Sequence, residues 1–315
     1  MSGVEDYPRN QLEFEARFAS EEACQEYLAQ LRWPEGFRCP QCGQGKAWPV
    51  RAGSLQCAAC GRQTSVTAGT LFHRSKLPLR LWFRAMWSVT GHKHGTSALG
   101  LQRVLGLGSY RTAWTWLHKL RRAMVRPGRD RLHGRVEVDE TYVGGAEEGV
   151  RGRQTVTKVL VAIAVAAPED GSGIGRIRRR VVADASAASL LGFVREAVEP
   201  GATVHTDGWP SYGPLEELGY AHEVTVLRDP KLAGQLLPHV HRIASLCKRW
   251  WAGTHQGAIS ARHLDYYLDE FSFRFNRRKS RSRGKLFYRL VQQAVAIEPT
   301  PYHSIVGGKS RNQDP

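Results

Sequence analysis

The sequence predicts an α/β domain with a mixed sheet, preceded by a small metal-held module and an all-helical segment. Three observations carry this. Two Cys-x-x-Cys pairs, Cys39/Cys42 and Cys57/Cys60, stand near the N-terminus with 14 residues between them. Apolar residues then recur at helical spacing from Leu79 to Val125. Beyond Pro127-Gly128-Arg129-Asp130, a linker by composition, the pattern turns mixed: three successive strands, a helix, two further short strands and closing helices.

The first element is a helix over Ser20 to Arg32. Ser20 suits the N-cap, Glu21 and Glu22 suit the positive end of the helix dipole, and Ala23, Tyr27, Leu28 and Leu31 form an apolar stripe. Pro34 and Gly36 end it. In each cysteine pair a tight turn lets two thiolates point at one ion, and a glycine follows the second cysteine (Gly43, Gly61) where the backbone needs relief. Two such knuckles complete a closed tetrahedral site, so Cys39, Cys42, Cys57 and Cys60 are expected to bind a structural Zn²⁺. Cys24 and Cys247 stand alone, and Cys247 reads as a small packing residue.

In the helical segment, Leu81, Trp82, Ala85, Met86 and Val89 share one face. Thr96-Ser97-Ala98 opens a second helix to Leu105, Gly106-Leu107-Gly108 turns, and Ser109 caps a third helix from Tyr110 to Met124. Its spacing points Ala113, Trp116, Leu117 and Leu120 inward and leaves Arg111, His118, Arg121 and Arg122 outside. A glycine turn followed by a basic helix fits a helix-turn-helix that enters a major groove, with those four residues as DNA contacts. An ordinary three-helix unit with a solvated basic face fits the same pattern.

Further on, Arg135 to Val143 alternates apolar and polar residues as a strand does. Thr157 to Ala166 is an apolar strand and Arg176 to Ala183 a third; Ala187 to Val198 is a helix; Thr203 to Thr206 and Glu223 to Leu227 are short strands. A long helix from about Val240 leads to a final one from Leu264. This order is that of an RNase H-like α/β fold. The basic run Arg277 to Arg283 is either a phosphate-contacting arm or a solvated loop. The expected division is 1–76 (helix and zinc ribbon), 77–127 (helical DNA-binding segment), 128–295 (RNase H-like catalytic domain) and 296–315 (tail).

The chain holds 45 Lys+Arg against 29 Asp+Glu, a formal charge of +16. That favours a polyanionic partner, nucleic acid before an acidic membrane surface, because each phosphate neutralised releases counterions. With no apolar run long enough to span a bilayer and no secretory signal pattern, neither membrane insertion nor secretion is expected, and the cysteines are expected to bind metal rather than form disulfides.

On the first strand of the α/β domain, the period of two puts Glu137, Asp139 and Thr141 on one face and Val136 and Val138 on the other. A second carboxylate, Asp207, ends the strand Val204-His205-Thr206. If these strands are neighbours, the two aspartates can share divalent cations, Mg²⁺ or Mn²⁺, for in-line phosphoryl chemistry. Trp209, Tyr212, Trp250 and Trp251 follow as base-stacking candidates or, more commonly, packing anchors.

Several stretches resemble bacterial insertion-sequence transposases of the ISXO type. They are Val136-Glu-Val-Asp-Glu-Thr-Tyr-Val-Gly-Gly145, His205-Thr-Asp-Gly-Trp-Pro-Ser-Tyr212, Lys248-Arg249 with Gly253-Thr-His255, and His263-Leu-Asp-Tyr-Tyr-Leu-Asp-Glu-Phe-Ser-Phe-Arg-Phe-Asn-Arg277. The resemblance spans roughly Ser20 to Leu290 and implies a zinc ribbon joined to an RNase H-like DDE-type domain. It implies metal-dependent cleavage and strand transfer at element ends, a homo-oligomer on DNA, and a bacterial, cytoplasmic, nucleoid-associated protein. Asp139 and Asp207 match the first two acidic positions. The family's third position lies seven residues before a lysine; with Lys248 as that lysine, it is His241. Seven residues are nearly two turns, so His241, Ser245 and Lys248 share a helical face. Imidazole is a poorer Mg²⁺ ligand than carboxylate, which implies weaker Mg²⁺ binding or a relative preference for Mn²⁺. Arg242 and Arg249 are expected to touch phosphates. The alternatives are a zinc-ribbon and helix-turn-helix DNA-binding protein with an inactive RNase H-like domain, and a non-transposing nuclease of the same fold.

Overall fold

The computed structural model describes residues 5–51, 53–126, 128–144, 158–168, 171, 173–226, 237–257 and 259–307. In chain order its elements are α1 (Gln11–Arg17), α2 (Glu21–Arg32), β1 (Ala47–Arg51), β2 (Ser54–Cys57), β3 (Gln63–Ser65), α3 (Leu79–Gly91), α4 (Ala98–Leu105) and α5 (Tyr110–Ala123). Then follow β4 (Arg135–Val143), β5 (Val159–Ala166), β6 (Ile177–Val182), α6 (Ala187–Ala197), β7 (Thr203–Thr206), a 3-10 helix (Pro210–Leu218) and β8 (Ala221–Val224). The chain closes with α7 (Pro238–His255), α8 (Leu264–Phe275), α9 (Arg283–Ala296) and α10 (Tyr302–Gly307). Thr157 and Leu227, the predicted ends of two strands, lie outside the described residues.

The described chain divides into two compact units. One takes the residues up to Arg126 and, after a long excursion, those from Lys279 on; the other is Pro127–Arg278. Within the first unit, α9 packs with α2, α3 and α5.

In the first unit, helix starts follow their caps: Asn10, Ser20, Ser97 and Ser109 each accept a backbone N–H of the first turn. The antiparallel sheet β1-β2-β3 holds the second cysteine pair at its end. The core is aromatic. Phe287 of α9 lies 5.4 Å from Phe14, 5.6 Å from Phe18 and 5.6 Å from Phe83, ring centre to ring centre. Gly284 makes this docking possible, since a Cβ there would sit 1.5 Å from the carbonyl oxygen of Pro8.

The second unit is a five-stranded mixed sheet in the order β6-β5-β4-β7-β8. β4, β5 and β6 pair antiparallel as a meander; β7 and β8 continue parallel to β4. Reaching the far side of β4 from β6 needs a crossover, which α6 supplies. The alternation along β4 separates two cores. Val136 and Val138 pack with α6 (Leu190, Phe193) and with Tyr212 and Leu215. On the other face, Val161, Ile163 and Val165 of β5 pack with α7 (Val240, Ile243, Cys247) and α8 (Tyr267, Phe271).

Arg277 and Arg278, the start of the basic run, serve neither as an arm nor as a solvated loop. Their guanidinium groups donate to the carbonyls of Phe273 and Phe275 at the end of α8 and lie 4.0 and 3.9 Å over those rings. Cations at a helix C-terminus complete its unpaired carbonyls. Trp250 and Trp251, at 7% and 6% exposed, and Tyr212, fully buried, are likewise core residues.

Candidate active site and zinc centre

The apolar packing under α7 stops at β4, where the same sheet face becomes polar: Glu137, Asp139 and Thr141. The parallel pairing joins Val136 to Val204 and Glu137 to His205, an offset of 68 residues. Continued two residues, the same offset sets Asp139 beside Asp207, just past the end of β7. Neighbouring strands lie about 4.8 Å apart, close enough for two carboxylates to share cations. Both aspartates are partly exposed. Asp139 Oδ1 accepts from the Glu140 N–H at 2.7 Å and Asp207 Oδ1 from the Trp209 N–H at 3.0 Å, which orients each side chain locally.

Helix α7 lies along this face and is tied to β4 twice. Glu137 accepts from the backbone N–H groups of His239 (2.9 Å) and Val240 (3.0 Å) and from the His239 imidazole Nδ1 (2.6 Å). Further along, Lys248 Nζ donates to Thr141 Oγ1 at 3.1 Å. Between these ties sits His241, partly exposed. Seven residues from Lys248, it points within about 20° of the lysine, on the flank of α7 beside its buried stripe. Arg242 and Arg249 are exposed on the same helix.

On the opposite side of β4, the Tyr212 hydroxyl donates to Glu140 Oε2 at 2.9 Å. Burial, reinforced by the charge of Glu140 and then of Asp139 and Asp207, holds the Tyr212 phenol well above its ordinary range. The other nearby carboxylates serve the fold. Asp265 accepts the Val181 N–H of edge strand β6 at 3.0 Å, and buried Glu270 faces Arg274 at 3.8 Å. Cys247 is 2% exposed and burial pushes its thiol up, in keeping with a packing role.

The four cysteines of the first unit converge. Their sulfurs all lie within 4.8 Å of one another, with Cys39–Cys60 at 3.6 Å and Cys42–Cys57 at 3.5 Å. A tetrahedral Zn²⁺ with bonds of about 2.3 Å sets its sulfurs about 3.8 Å apart, so the cluster fits that ion. The two knuckles are built alike. Gly43 N–H bonds the Cys39 carbonyl and Gly61 N–H the Cys57 carbonyl, with φ of 73° and 70° at the glycines. Backbone N–H groups also favour the thiolates: that of Cys42 brings Cys39 down to about 6, and that of Cys60 lowers Cys57.

Two family models match the chain: the ISXO2-like transposase domain over residues 131–276 and the transposase zinc-ribbon domain over residues 19–63. The "uncharacterized protein in transposable element ISH50" of Halobacterium salinarum is 31% identical over 280 residues, 82% of this chain and 91% of that protein. The chain belongs to the ISXO2-like transposase family. Among solved structures, the simian T-cell lymphotropic virus intasome bound to PP2A regulatory subunit B56 gamma shares 15% identity over 53% of this chain and 63% of that one. Its TM-score of 0.29 is too low to bear on the assignment.

In this transposase the transposase-domain match begins before β4 and ends after α8, so it takes in Asp139, Asp207, His241 and Lys248. The helical segment lies outside both matches, and here the outward face expected of α5 needs correction. His118 and Arg121 are 0% and 1% exposed, not available to solvent. α5 buries Thr115, His118 and Arg121 as well as the predicted apolar stripe, because it is covered over more than half its circumference. His118 packs 4.1 Å from the ring of Trp114. Arg111 is exposed and Arg122 partly so, with Arg111 5.7 Å from the Tyr302 ring. Among the described residues, no helix is long and apolar enough to cross a membrane.

Sequence reasoning missed the Glu137 and Thr141 ties and the Tyr212–Glu140 bond. One signal was present: α7 opens Leu237-Pro238-His239, with no side chain able to cap it, so the cap had to come from elsewhere.

Proposed function

We propose that the protein cleaves phosphodiester bonds at the ends of its insertion sequence and joins them to target DNA, using Asp139, Asp207 and His241 as the metal-holding set. The observation that carries this is the parallel pairing of β4 with β7, whose offset, extended past the end of β7, brings Asp207 level with Asp139, with the helix bearing His241 tied to the same strand. Two hard carboxylates side by side suit Mg²⁺ or Mn²⁺, and a single imidazole in place of a third carboxylate shifts the balance toward Mn²⁺. Bound there, such ions supply charge stabilisation and a stronger nucleophile for in-line displacement. The chain's own residues do the rest. Lys248, steadied at Thr141, presents an ammonium to a phosphate; Arg242 and Arg249 extend that positive flank; Arg111 and Arg122, with the ribbon, add further DNA contacts. The formal charge of +16 supports such a partner. Two ends held together imply more than one copy on the DNA.

The test uses full-length protein, a labelled duplex of the element's terminal repeat, and Mg²⁺ or Mn²⁺. Asp139→Asn and Asp207→Asn abolish nicking and joining while leaving DNA binding and the melting temperature near wild type. His241→Ala lowers activity and His241→Glu restores or raises it with Mg²⁺. Wild-type cleavage by both aspartate variants refutes the site. A wild-type protein that binds ends but never cuts under either metal makes the histidine-bearing domain an inactive, DNA-binding one.

A further inference from the structure

Glu137 stands two residues before Asp139 on the same strand face, where a third metal-binding carboxylate would be sought. Its surroundings assign it otherwise. The side chain is 1% exposed, and a buried carboxylate is tolerated only when hydrogen-bonded. Both oxygens are used: Oε2 accepts the N–H groups of His239 and Val240, and Oε1 accepts the His239 imidazole.

The recipients explain why a strand residue is spent this way. A helix start leaves N–H groups that need acceptors. In α7 the cap position is Leu237, which makes no side-chain cap bond, and the first helical residue is Pro238, which has no N–H. The next two N–H groups are those that Glu137 takes. A strand residue 102 positions away therefore supplies the cap that the helix sequence lacks. The negative charge also suits the positive end of an 18-residue helix.

The second tie, Lys248 to Thr141, fixes the spacing. Along β4 the two ties are four residues apart, about 13 Å at the usual rise of a strand. Along α7, His239 and Lys248 are nine residues apart, about 13.5 Å at the rise of a helix. The two spans are similar, so one helix and one strand can make both ties, with Asp139 between them on the strand and His241 between them on the helix.

We infer that Glu137 is a positioning residue: it caps α7 from the sheet and so fixes the start of the helix that carries His241 against the strand that carries Asp139, taking no part as a metal ligand. This rests on the active-site reading above, and the experiment separates the two. In full-length protein, amide hydrogen exchange reads the cap at His239 and Val240. Cleavage of the labelled terminal-repeat duplex, titrated with Mn²⁺, reads the site. Glu137→Gln keeps a carbonyl oxygen for both amides, and its NH₂ can donate to the other tautomer of His239; protection and rate remain near wild type. Glu137→Ala exposes both amides, lowers the rate by about 10- to 100-fold as loss of a supporting hydrogen bond does, and raises the Mn²⁺ needed for half-maximal rate, with DNA affinity unchanged. Protected amides with activity as low as Asp139→Asn in Glu137→Gln would show that Glu137 acts on metal or DNA directly. Exposed amides with wild-type cleavage in Glu137→Ala would show that the cap does not position the site. Should Glu137→Ala not fold, the isosteric glutamine variant still decides between support and the first of these. Full activity in Asp139→Asn sinks the active-site reading itself, whatever Glu137 does.

Discussion

His222 of β8 pairs through Nε2 with Thr206 Oγ1 at 2.9 Å, and Thr206 in turn accepts the Gly208 N–H. Burial lowers the His222 pKa below its usual value. Between the folded value and the unfolded one near 6.5, the unfolded chain holds a proton that the folded chain refuses. This contribution to stability is therefore complete above about pH 6.5 and is lost as pH falls through that window. His222→Gln should flatten the acid side of the melting-temperature profile of the α/β unit, checked by thermal melts from pH 8 to 5; an unchanged slope excludes His222 as the source. Gly284 gives a second prediction at this scale. Its absent Cβ leaves room for the Pro8 carbonyl, so Gly284→Ala forces backbone apart and should cost about 1 to 3 kcal/mol by denaturant unfolding. Single residues were legible in the sequence when the signal was local. Strand periodicity put Asp139 and Thr141 on one face, and helical spacing aligned His241 with Lys248. The partners of Glu137 and Tyr212 were not legible, because they lie 102 and 72 residues away and only the sheet order brings them together.

The same distinction holds for whole elements. β4 and β7 appear at the predicted bounds, since strict alternation in one and a short bounded run in the other leave little choice. The cysteine knuckles were equally plain, because two tight turns of fixed spacing specify one ion. Their geometry predicts that chelation with 1,10-phenanthroline unfolds the ribbon strands and leaves the α/β unit folded, seen as loss of amide protection confined to β1, β2 and β3. Protection retained without bound metal would make the cluster incidental. Several elements escaped the sequence reading, α1 and α9 among them. α1 is only seven residues long, too short for periodicity, although Asn10 Oδ1 accepts the Glu13 N–H and the Glu13 carboxylate accepts the Arg9 N–H and the Asn10 side-chain amide. α9 follows a basic run that suggested a loop, yet carries Phe287, the residue around which α1, α2 and α3 gather their rings. α5 was found but its faces were misjudged, since polar residues at His118 and Arg121 concealed how far the packing wraps around it.

At the scale of the molecule, the division of the chain sets what can be separated. Residues up to Arg126 lack Phe287, Leu290 and Val291 of α9, all fully buried, so that fragment alone should not fold. Joining residue 126 to residue 279 through a short glycine-serine linker should restore a cooperative thermal transition and, with Zn²⁺, the amide protection of α3; a fragment ending at 126 that melts just as sharply would refute the dependence. Nothing in the sequence announced this arrangement, because both flanks of the excursion read as connections and the closing helix lies more than 150 residues from its partners.

Synthesis gives the excursion a further meaning. The ribosome delivers α1, α2 and α3 early, but their rings have no Phe287 to close on until the sheet, α7 and α8 have been made. A chain broken off anywhere before α9 therefore carries an unfinished N-terminal unit, open to chaperones and proteases. Completion of the first unit becomes a report that the α/β unit has been translated in full.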